Sequence, residues 1–255
     1  KTLAYGLQSR AGMNIGLYLG AAALNALERW QDATSQNIAS SSTPGFRKRE
    51  VEFSVQNGGT LPTGASRSIQ QTQFPTSQVS VSYVPGQFVG TGRDLDIAIR
   101  GQGFFEVQTA DGNRAYTRNG SFYTNSDRNL VDAQGNMLLG EGGAPIQLLP
   151  DGGPLSISSD GTLSQNGQQV GMLTIQNFDN TQSLTPLSGG LFLANGATPT
   201  TVANPELMQG SLETSNVQPV GEMINLVQIS RAYEAAQKVI TSRDDTMDKT
   251  IRAIT

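Results

Sequence analysis

The two ends of the chain carry the apolar spacing of amphipathic helices. Near the N-terminus, apolar or small residues recur in steps of three and four, which places them on one face of a helix. These positions are Leu17, Gly20, Leu24, Leu27, Trp30 or Gln31, Thr34 and Ile38. The pattern stops in Ser40-Ser41-Ser42-Thr43, and Pro44 disfavours a helical conformation at the residue before it. We therefore predict an N-terminal helix over residues 13–43.

A second helical pattern occupies the C-terminus. Pro219 suits a first helical turn, and we expect Ser215 or Asn216 to be the N-cap. Its apolar stripe, interrupted by Arg243, is Leu226, Ile229, Tyr233, Ala236, Ile240, Met247, Ile251 and Ile254. Near-heptad spacing of this kind is typical of a coiled-coil seam. The alternative is a helix that packs only on its own domain, but both helices lie at chain ends beside polar linkers. We therefore expect the C-terminal helix (213–255) to pair with the N-terminal one.

Between the helices the apolar period changes to two. Residues 94–100 alternate cleanly, and a second strand-like stretch follows a Gly101-Gln102-Gly103 bend. Dipeptides that favour tight hairpin turns then recur at Asp111-Gly112, Asn119-Gly120, Gly135-Asn136, Asp160-Gly161 and Asn166-Gly167. We predict an all-β central domain of short antiparallel strands over residues 91–212.

The fold class that follows is α+β, mainly β, in which the two terminal helices form a coiled-coil-like terminal domain. Residues 44–90 are rich in Gly, Ser, Thr, Gln and Pro, and we predict an extended connector there. Residues 1–12, which precede Met13, form an extra N-terminal segment whose origin the sequence leaves open.

Composition excludes most enzymatic and nucleic-acid-binding functions. The 255 residues include no cysteine and no histidine, which removes disulfides, thiolate metal sites and every catalytic arrangement that uses these side chains. A net charge of −4 leaves no basic surplus for nucleic acid. The one basic cluster, Arg47-Lys48-Arg49, is followed by Glu50 and Glu52, which largely neutralise its charge. We interpret this cluster as part of a solvated surface. No apolar run approaches the roughly 20 residues that span a bilayer.

Asp94 and Asp96 are the best candidates for metal or acid–base chemistry. An alternating strand would place both on one face, but no third ligand lies near them in sequence. Alternating polar residues on a solvent face are commoner, and we interpret the pair in that way. We therefore predict no catalytic residue, no cofactor, no metal, no small-molecule substrate and no nucleic-acid partner.

Three ordered stretches carry a family resemblance. QNIASSSTPGF (36–46) ends the first helical pattern, GRDLDIAIRGQGFFEV (92–107) and AYTRNGSF (115–122) open the β domain, and ETSNVQPVGEMINLVQISRAYEAAQKVITSRD (213–244) closes the chain. In this order they resemble the motifs of the bacterial flagellar rod and hook protein family. The similarity is greatest to its basal-body rod members, of the FlgF and FlgG type.

The resemblance implies a structural, non-enzymatic subunit of the flagellar basal-body rod, which self-assembles with axial homologues into a hollow, torque-transmitting shaft. Implied partners are copies of itself and homologous rod and hook proteins, with the outer bushing rings as a further open possibility. The implied location is the periplasm-spanning rod, reached through the flagellar type III export pathway. GEGGAPI (140–146) is similar to the proximal rod protein and VGMLTIQNFDN (170–180) to the distal one, and the short chain slightly favours the proximal.

The helical patterns and the resemblance together name two groups of residues. The subunit-assembly seam is predicted at Leu24, Leu27, Ile38, Leu226, Ile229, Tyr233 and Ile240. The corner where the inner helix gives way to the outer layer is predicted at Thr43, Pro44, Gly45 and Phe46. A charge at Ile229 or Leu226 is expected to block assembly and to leave the β domain almost unchanged, because an unpaired buried charge is very costly.

Three alternative functions stay open at this stage. A hook-type axial protein would share the same motifs. A monomeric extracellular β binding or adhesive module with a helical stalk would have terminal helices that fold without partners. A carboxylate-based glycosidase would need two acids about 5–10 Å apart, and no clear pair is present.

Overall fold

The structure is a computed structural model that describes residues 2–61, 70–150 and 152–252. The chain divides into two compact units. Unit 1 consists of Lys1–Ile38, Arg49–Ser80 and Pro219–Thr255. Unit 2 consists of Ala39–Lys48 and Val81–Gln218. The chain therefore passes between the units four times, after residues 38, 48, 80 and 218.

Two long helices dominate unit 1. Helix α1 spans Thr2–Ala39 and helix α2 spans Pro219–Arg252. We predicted that the first helix ends within residues 40–43; it ends one residue earlier, and residues 40–43 form a turn closed by a 3.0 Å bond from Thr43 N to Ser40 O. Residues 2–12, predicted as a separate segment, are helical and continuous with α1. Helix α2 begins at Pro219, because proline needs no N–H partner in a first turn.

Unit 1 also contains a hairpin of two long strands, β1 (Arg49–Leu61) and β2 (Gln70–Val81). The strands lie within the region predicted as an extended connector, so the conformation is extended, but the two halves are paired. Across the ladder, the hydroxyls of Ser54 and Thr76 lie 2.8 Å apart. Val51 and Phe53 alternate with acidic neighbours in β1, and the Gly- and Ser-rich composition of the region concealed this period of two.

Unit 2 is built of short antiparallel strands. They are β3 (Phe88–Gly90), β4 (Ile97–Arg100), β5 (Phe104–Gln108), β6 (Arg114–Thr117), β7 (Tyr123–Thr124), β8 (Leu130–Val131), β9 (Met137–Leu138), β10 (Leu155–Ile157), β11 (Thr162–Gln165), β12 (Gln168–Met172), β13 (Ile175–Asn177), β14 (Thr185–Pro186), β15 (Leu191–Leu193), β16 (Thr200–Thr201), β17 (Glu206–Gln209) and β18 (Ser211–Glu213). The main sheet has nine strands in the order β14-β15-β6-β5-β9-β8-β7, with β13 and β16 attached through β5. Smaller sheets pair β10-β11-β12, β17 with β4, and β18 with β3. The α+β, mainly β fold class predicted from the sequence is confirmed.

Two apolar clusters fill unit 2. The larger one surrounds Phe105, Phe122 and Leu138, which are almost completely buried. The smaller one is aromatic and contains Phe104, Tyr116, Phe178 and Phe192, packed edge to face. Phe104 and Phe105 are neighbours in β5, so one strand supplies both clusters from its two faces.

Four of the five predicted turn dipeptides join consecutive strands of a hairpin. The clearest is Asn166-Gly167 between β11 and β12, where both residues have positive φ (51° and 76°), as a type I′ turn requires. The prediction at Asn119-Gly120 is wrong. Gly120 lies directly against the backbone of Ile97, where no side chain fits, and its carbonyl accepts the Ile97 N–H at 3.0 Å.

The predicted solvent-facing pair Asp94 and Asp96 is also corrected. The chain turns at residues 94–95, so Asp94 is exposed whereas Asp96 is buried, with its Oδ1 3.3 Å from Nη1 of Arg93. Within the described ranges, no group of three or more His, Cys, Asp or Glu side chains is arranged to hold a metal ion. The helices of the described segments are also too short or too polar to cross a membrane.

Candidate assembly interface

In unit 1, helices α1 and α2 run antiparallel. Toward one end, Nδ2 of Asn37 donates to Oε2 of Glu222 at 3.3 Å. Toward the other end, a Cβ atom on Gly20 would lie 3.1 Å from Cγ1 of Ile240. Residue numbers fall along α1 as they rise along α2, which fixes the direction. Because Gly20 has no side chain, α1 leaves room there for the Ile240 side chain.

Asn37 connects three elements of unit 1. Its Oδ1 accepts the Arg49 N–H at 2.8 Å and its Nδ2 donates to the Arg49 carbonyl at 2.8 Å, so the amide pairs with β1 as a neighbouring strand would. Its bond to Glu222 reaches the first turn of α2, where a carboxylate complements the positive end of the helix dipole. Asn37 and Glu222 are both buried. A buried polar network whose members are bonded fixes one geometry among the elements it joins.

The predicted seam residues occupy three kinds of position. Ile229 is 1% exposed, and Leu226 is 37% exposed. The others are half-buried: Leu24, Leu27, Ile38, Tyr233 and Ile240. Over residues 20–39, the part of α1 whose side chains the structure describes, the fully buried positions are instead small or polar: Ala26, Ala33, Thr34 and Asn37. Leu24, Leu27 and Ile38 lie at the flank of these positions, where they are only partly covered by the chain's own atoms.

A stripe of exposed apolar side chains runs along the first turns of α2. We call it the outer α2 stripe, and it consists of Val220, Met223, Ile224 and Val227. Their spacing of three and four residues places them on the side of the helix opposite Ile229, which is buried. The chain itself covers the side of α2 that carries Glu222 and Ile229, and it leaves the four apolar side chains of the outer α2 stripe exposed.

The hairpin of unit 1 also presents apolar side chains. Phe53, Val55 and Val79 are 52%, 62% and 42% exposed. The ring of Phe53 packs edge-on against Trp30 of α1 with centroids 5.6 Å apart, and the Arg29 guanidinium donates to the Ser77 carbonyl at 3.0 Å. Helix α1 therefore covers this hairpin face only in part.

The predicted corner residues lie in unit 2. Gly45 and Phe46 are buried, and Thr43 and Pro44 are half-buried. Gly45 has φ +67°, and its N–H donates to the Glu213 carbonyl at 2.7 Å. A Cβ atom at this position would overlap the backbone carbonyl of Arg118 and lie 2.6 Å from Asn119 N. Glycine is therefore required at residue 45 both by the backbone conformation and by the close approach of another segment.

A buried ionic cluster lies next to the corner. Glu213, which is 1% exposed, accepts from Nη1 of Arg47 at 2.7 Å and from Nη1 of Arg118 at 3.3 Å. Arg118 also donates to the carbonyls of Ile99 and Gly101, at 3.1 and 2.5 Å. The pKa of Arg118 is lowered to about 10, chiefly by burial; Glu213 raises it and the nearby Arg47 lowers it. The interpretation of Arg47 as part of a solvated surface is wrong, because Arg47 is buried and bonded to Glu213.

Asn216 binds the same region through neutral hydrogen bonds. Its Oδ1 accepts the Lys48 N–H at 2.6 Å, and its Nδ2 donates to the carbonyls of Ser82 and Val84 at 3.0 and 2.9 Å. Ser215 accepts the Val217 N–H at 3.2 Å. Neither side chain caps α2, so that prediction is wrong. The Asn216 amide instead joins segments that are distant in sequence.

Sequence reasoning missed the polar residues that join these segments: Asn37, Arg47, Arg118, Glu213, Asn216 and Glu222. A signal was available, since five of the six lie within the quoted motifs. An interpretation based on apolar spacing places polar residues on the solvent side. The partners of these residues could not be found locally, because they lie up to 185 positions away in sequence.

Comparisons with known proteins agree with this architecture. Residues 98–165 match the family model "Flagellar hook protein FlgE/F/G D1 domain", and residues 208–253 match "Flagellar basal body rod FlgEFG protein C-terminal". The flagellar basal-body rod protein FlgF of Rhizobium meliloti is 33% identical over 95% of this chain and 98% of its own length. The chain belongs to the flagellar basal-body rod protein family.

Further relatives support the same assignment. FlgF of Caulobacter vibrioides is 34% identical over 89% of this chain and 93% of its own length. FlgG of Agrobacterium fabrum is 31% identical over 90% of this chain and 95% of its own length. The predicted function as a structural, non-enzymatic rod or hook-type subunit is confirmed, as is the location in the flagellar basal body. The adhesive-module and glycosidase alternatives find no support among these relatives.

Proposed function

We propose that this rod protein assembles with copies of itself and with homologous axial proteins, and that the outer α2 stripe is one of the contact surfaces. The observation that carries the proposal is the exposure of Val220, Met223, Ile224 and Val227 on a helix whose opposite face is already buried. Exposed apolar patches rimmed by polar residues mark interaction sites. Beyond Val227, the same side of α2 carries Arg231 and Lys238, so the stripe has a polar limit.

The stripe offers enough apolar surface for a useful contact. Its four side chains are 53–72% exposed. Burial of the exposed part of such a side chain contributes about 1 kcal/mol, which gives roughly 4 kcal/mol for the stripe in each contact. A contact of this strength is too weak to hold two chains alone. It becomes effective where each subunit has several neighbours, as in a shaft.

The partner surface that we propose is the half-buried flank of α1, formed by Leu24, Leu27 and Ile38. A contact between two different surfaces, repeated without closing, builds a helical filament. Such a filament would be the hollow, torque-transmitting shaft, with Thr43–Phe46 at its inner-to-outer corner. Ile229 has a different role, because it is buried within its own chain. A charge at that position would disturb the monomer itself and would not report on subunit contacts alone.

The position in the rod is proposed from the relatives. Those named FlgF are 33–34% identical and those named FlgG are 29–31% identical to this chain. This difference favours an FlgF-type place, which agrees with the proximal position favoured by the sequence. Export through the flagellar type III pathway and contact with the outer bushing rings belong to the same proposal.

A charge in the stripe tests the proposal. In cells that lack their own copy of the gene, we expect Val227→Asp to abolish incorporation into basal bodies and swimming, because the charge would be desolvated in the subunit contact. The purified variant should keep the wild-type circular dichroism spectrum, since Val227 is 53% exposed in the free chain. Gln237→Asp, at an exposed position about three turns further along α2, is the matched control and should swim. Equal incorporation of both variants would refute the proposed surface.

A further inference from the structure

Every passage of the chain into or out of unit 2 leads through three segments, residues 39–48, 81–87 and 213–218. These segments are hydrogen-bonded to one another. Gly45 N donates to Glu213 O at 2.7 Å, Ser82 N donates to Lys48 O at 2.9 Å, and Thr214 N donates to Gln87 O at 2.8 Å. The three segments are thus hydrogen-bonded to one another at the positions where the chain enters and leaves unit 2.

Side chains reinforce the same junction. The Glu213 carboxylate binds Arg47 of the first segment and the Gly86 N–H of the second, at 2.7 and 2.9 Å. Asn216 of the third segment binds the first through Lys48 N and the second through two carbonyls. Arg118 connects Glu213 to the body of unit 2, because its guanidinium also holds the carbonyls of Ile99 and Gly101.

The buried ionic groups of the junction are expected to contribute little net stability. Two arginines face one glutamate, which leaves an excess positive charge among buried groups. Within the described residues, the Nε atoms of Arg47 and Arg118 have no hydrogen-bond partner. Buried ion pairs of this kind are weak sources of stability, but removal of one partner is strongly destabilising. We therefore expect a change in a single residue to open the junction.

We propose that Arg47, Arg118, Glu213 and Asn216 form a crossing anchor, through which force passes between unit 2 and the rest of the chain in the assembled rod. The inference rests on the proposed function, since an unassembled chain carries no torque. Its structural part does not depend on that function. The anchor predicts that the three segments separate together from the rest of unit 2 when Glu213 is changed, while the apolar core of unit 2 stays folded.

Amide hydrogen exchange on the purified full chain tests the structural part. In Glu213→Gln, we expect the Gly45, Lys48 and Gly86 amides to exchange roughly 100-fold faster than in the wild type. The Phe105 and Leu138 amides in the core should exchange at unchanged rates. Glu106→Gln is the matched control, because Glu106 is also a buried carboxylate bonded to an arginine, Arg114 at 2.9 Å, but lies outside the three segments. Unchanged exchange at Gly45 and Gly86 would overturn the anchor.

Swimming under increasing viscosity tests the mechanical part, in cells that lack their own copy of the gene. We expect Glu213→Gln to swim in ordinary medium but to stop at a viscosity where wild type and Glu106→Gln still swim. If the wild type and both variants stop swimming at the same viscosity, force transmission in the rod does not depend on the anchor. If the wild-type chain itself fails to restore swimming, the proposed function fails, whereas the exchange result still decides whether the junction exists.

A milder variant keeps the test usable if Glu213→Gln unfolds the protein. If Glu213→Gln exposes the Phe105 and Leu138 amides, Asn216→Ala replaces it, since this change removes only neutral hydrogen bonds between the segments. Faster exchange at Lys48 with a protected core, and swimming that fails at high viscosity, would support the anchor. Wild-type exchange at Lys48 would refute it.

Discussion

Substitution of Gly45 by alanine tests the close packing at the corner. Gly45 has φ +67°, a left-handed conformation that costs a residue with a Cβ about 1–2 kcal/mol. The new methyl group would also overlap the Arg118 backbone and approach Asn119 N to 2.6 Å. Both neighbours are main chain and cannot rotate away, so overpacking adds about 1–3 kcal/mol. We therefore expect Gly45→Ala to lower the free energy of unfolding by about 2–5 kcal/mol.

Gly92→Ala separates the two terms of this estimate. Gly92 has nearly the same φ, +70°, but no atom lies within 4 Å of the position of its Cβ. We expect it to lose only the conformational term, about 1–2 kcal/mol. Urea unfolding of the purified chains, followed by circular dichroism, gives both values. Equal losses for the two variants would refute the argument that the corner is held against Arg118.

Two further predictions concern polar contacts. Asn37→Ala should lower the unfolding free energy by about 2–4 kcal/mol, because it leaves the Arg49 N–H and C=O without their side-chain partner; an unchanged urea midpoint would contradict this. Burial raises the pKa of Tyr83 to about 12, and its hydroxyl donates to Thr181 O at 2.8 Å. Because the folded pKa lies above the ordinary value near 10, Tyr83 contributes stability that is complete below pH 10 and is lost as the pH rises toward 12. Tyr83→Phe should reduce the loss of unfolding free energy at alkaline pH. If the wild type and the variant lose stability identically between pH 10 and 12, ionisation of Tyr83 does not affect stability.

Local signals in the sequence were enough to predict several elements. Pro219 marks the start of α2, the Asn166-Gly167 dipeptide specifies its hairpin, and the two glycines at 101 and 103 make the bend before β5. Each of these depends on the conformational preference of one or two residues, which acts over a few positions. The fold class follows from such signals together with the change of apolar period.

Contacts between distant residues could not be predicted in this way. The amide of Asn37 pairs with Arg49 and Glu222, and the Arg47–Glu213 bond joins positions 166 residues apart. The spacing of apolar residues does not indicate that these polar side chains are buried. The outer α2 stripe was missed for another reason: the first turns of α2 carry apolar side chains on two sides, and a single seam through Leu226 and Ile229 does not account for Val220 or Val227.

We propose that the outer α2 stripe becomes buried when the protein assembles. The chain has no cysteine, so Val227→Cys introduces a single thiol that can be labelled with a maleimide. In a variant that still swims, we predict rapid labelling of the free chain, where Val227 is 53% exposed, and strong protection in purified basal bodies. Labelling at the same rate in both states would contradict burial of the stripe, because Val227 would then remain open to solvent in the rod.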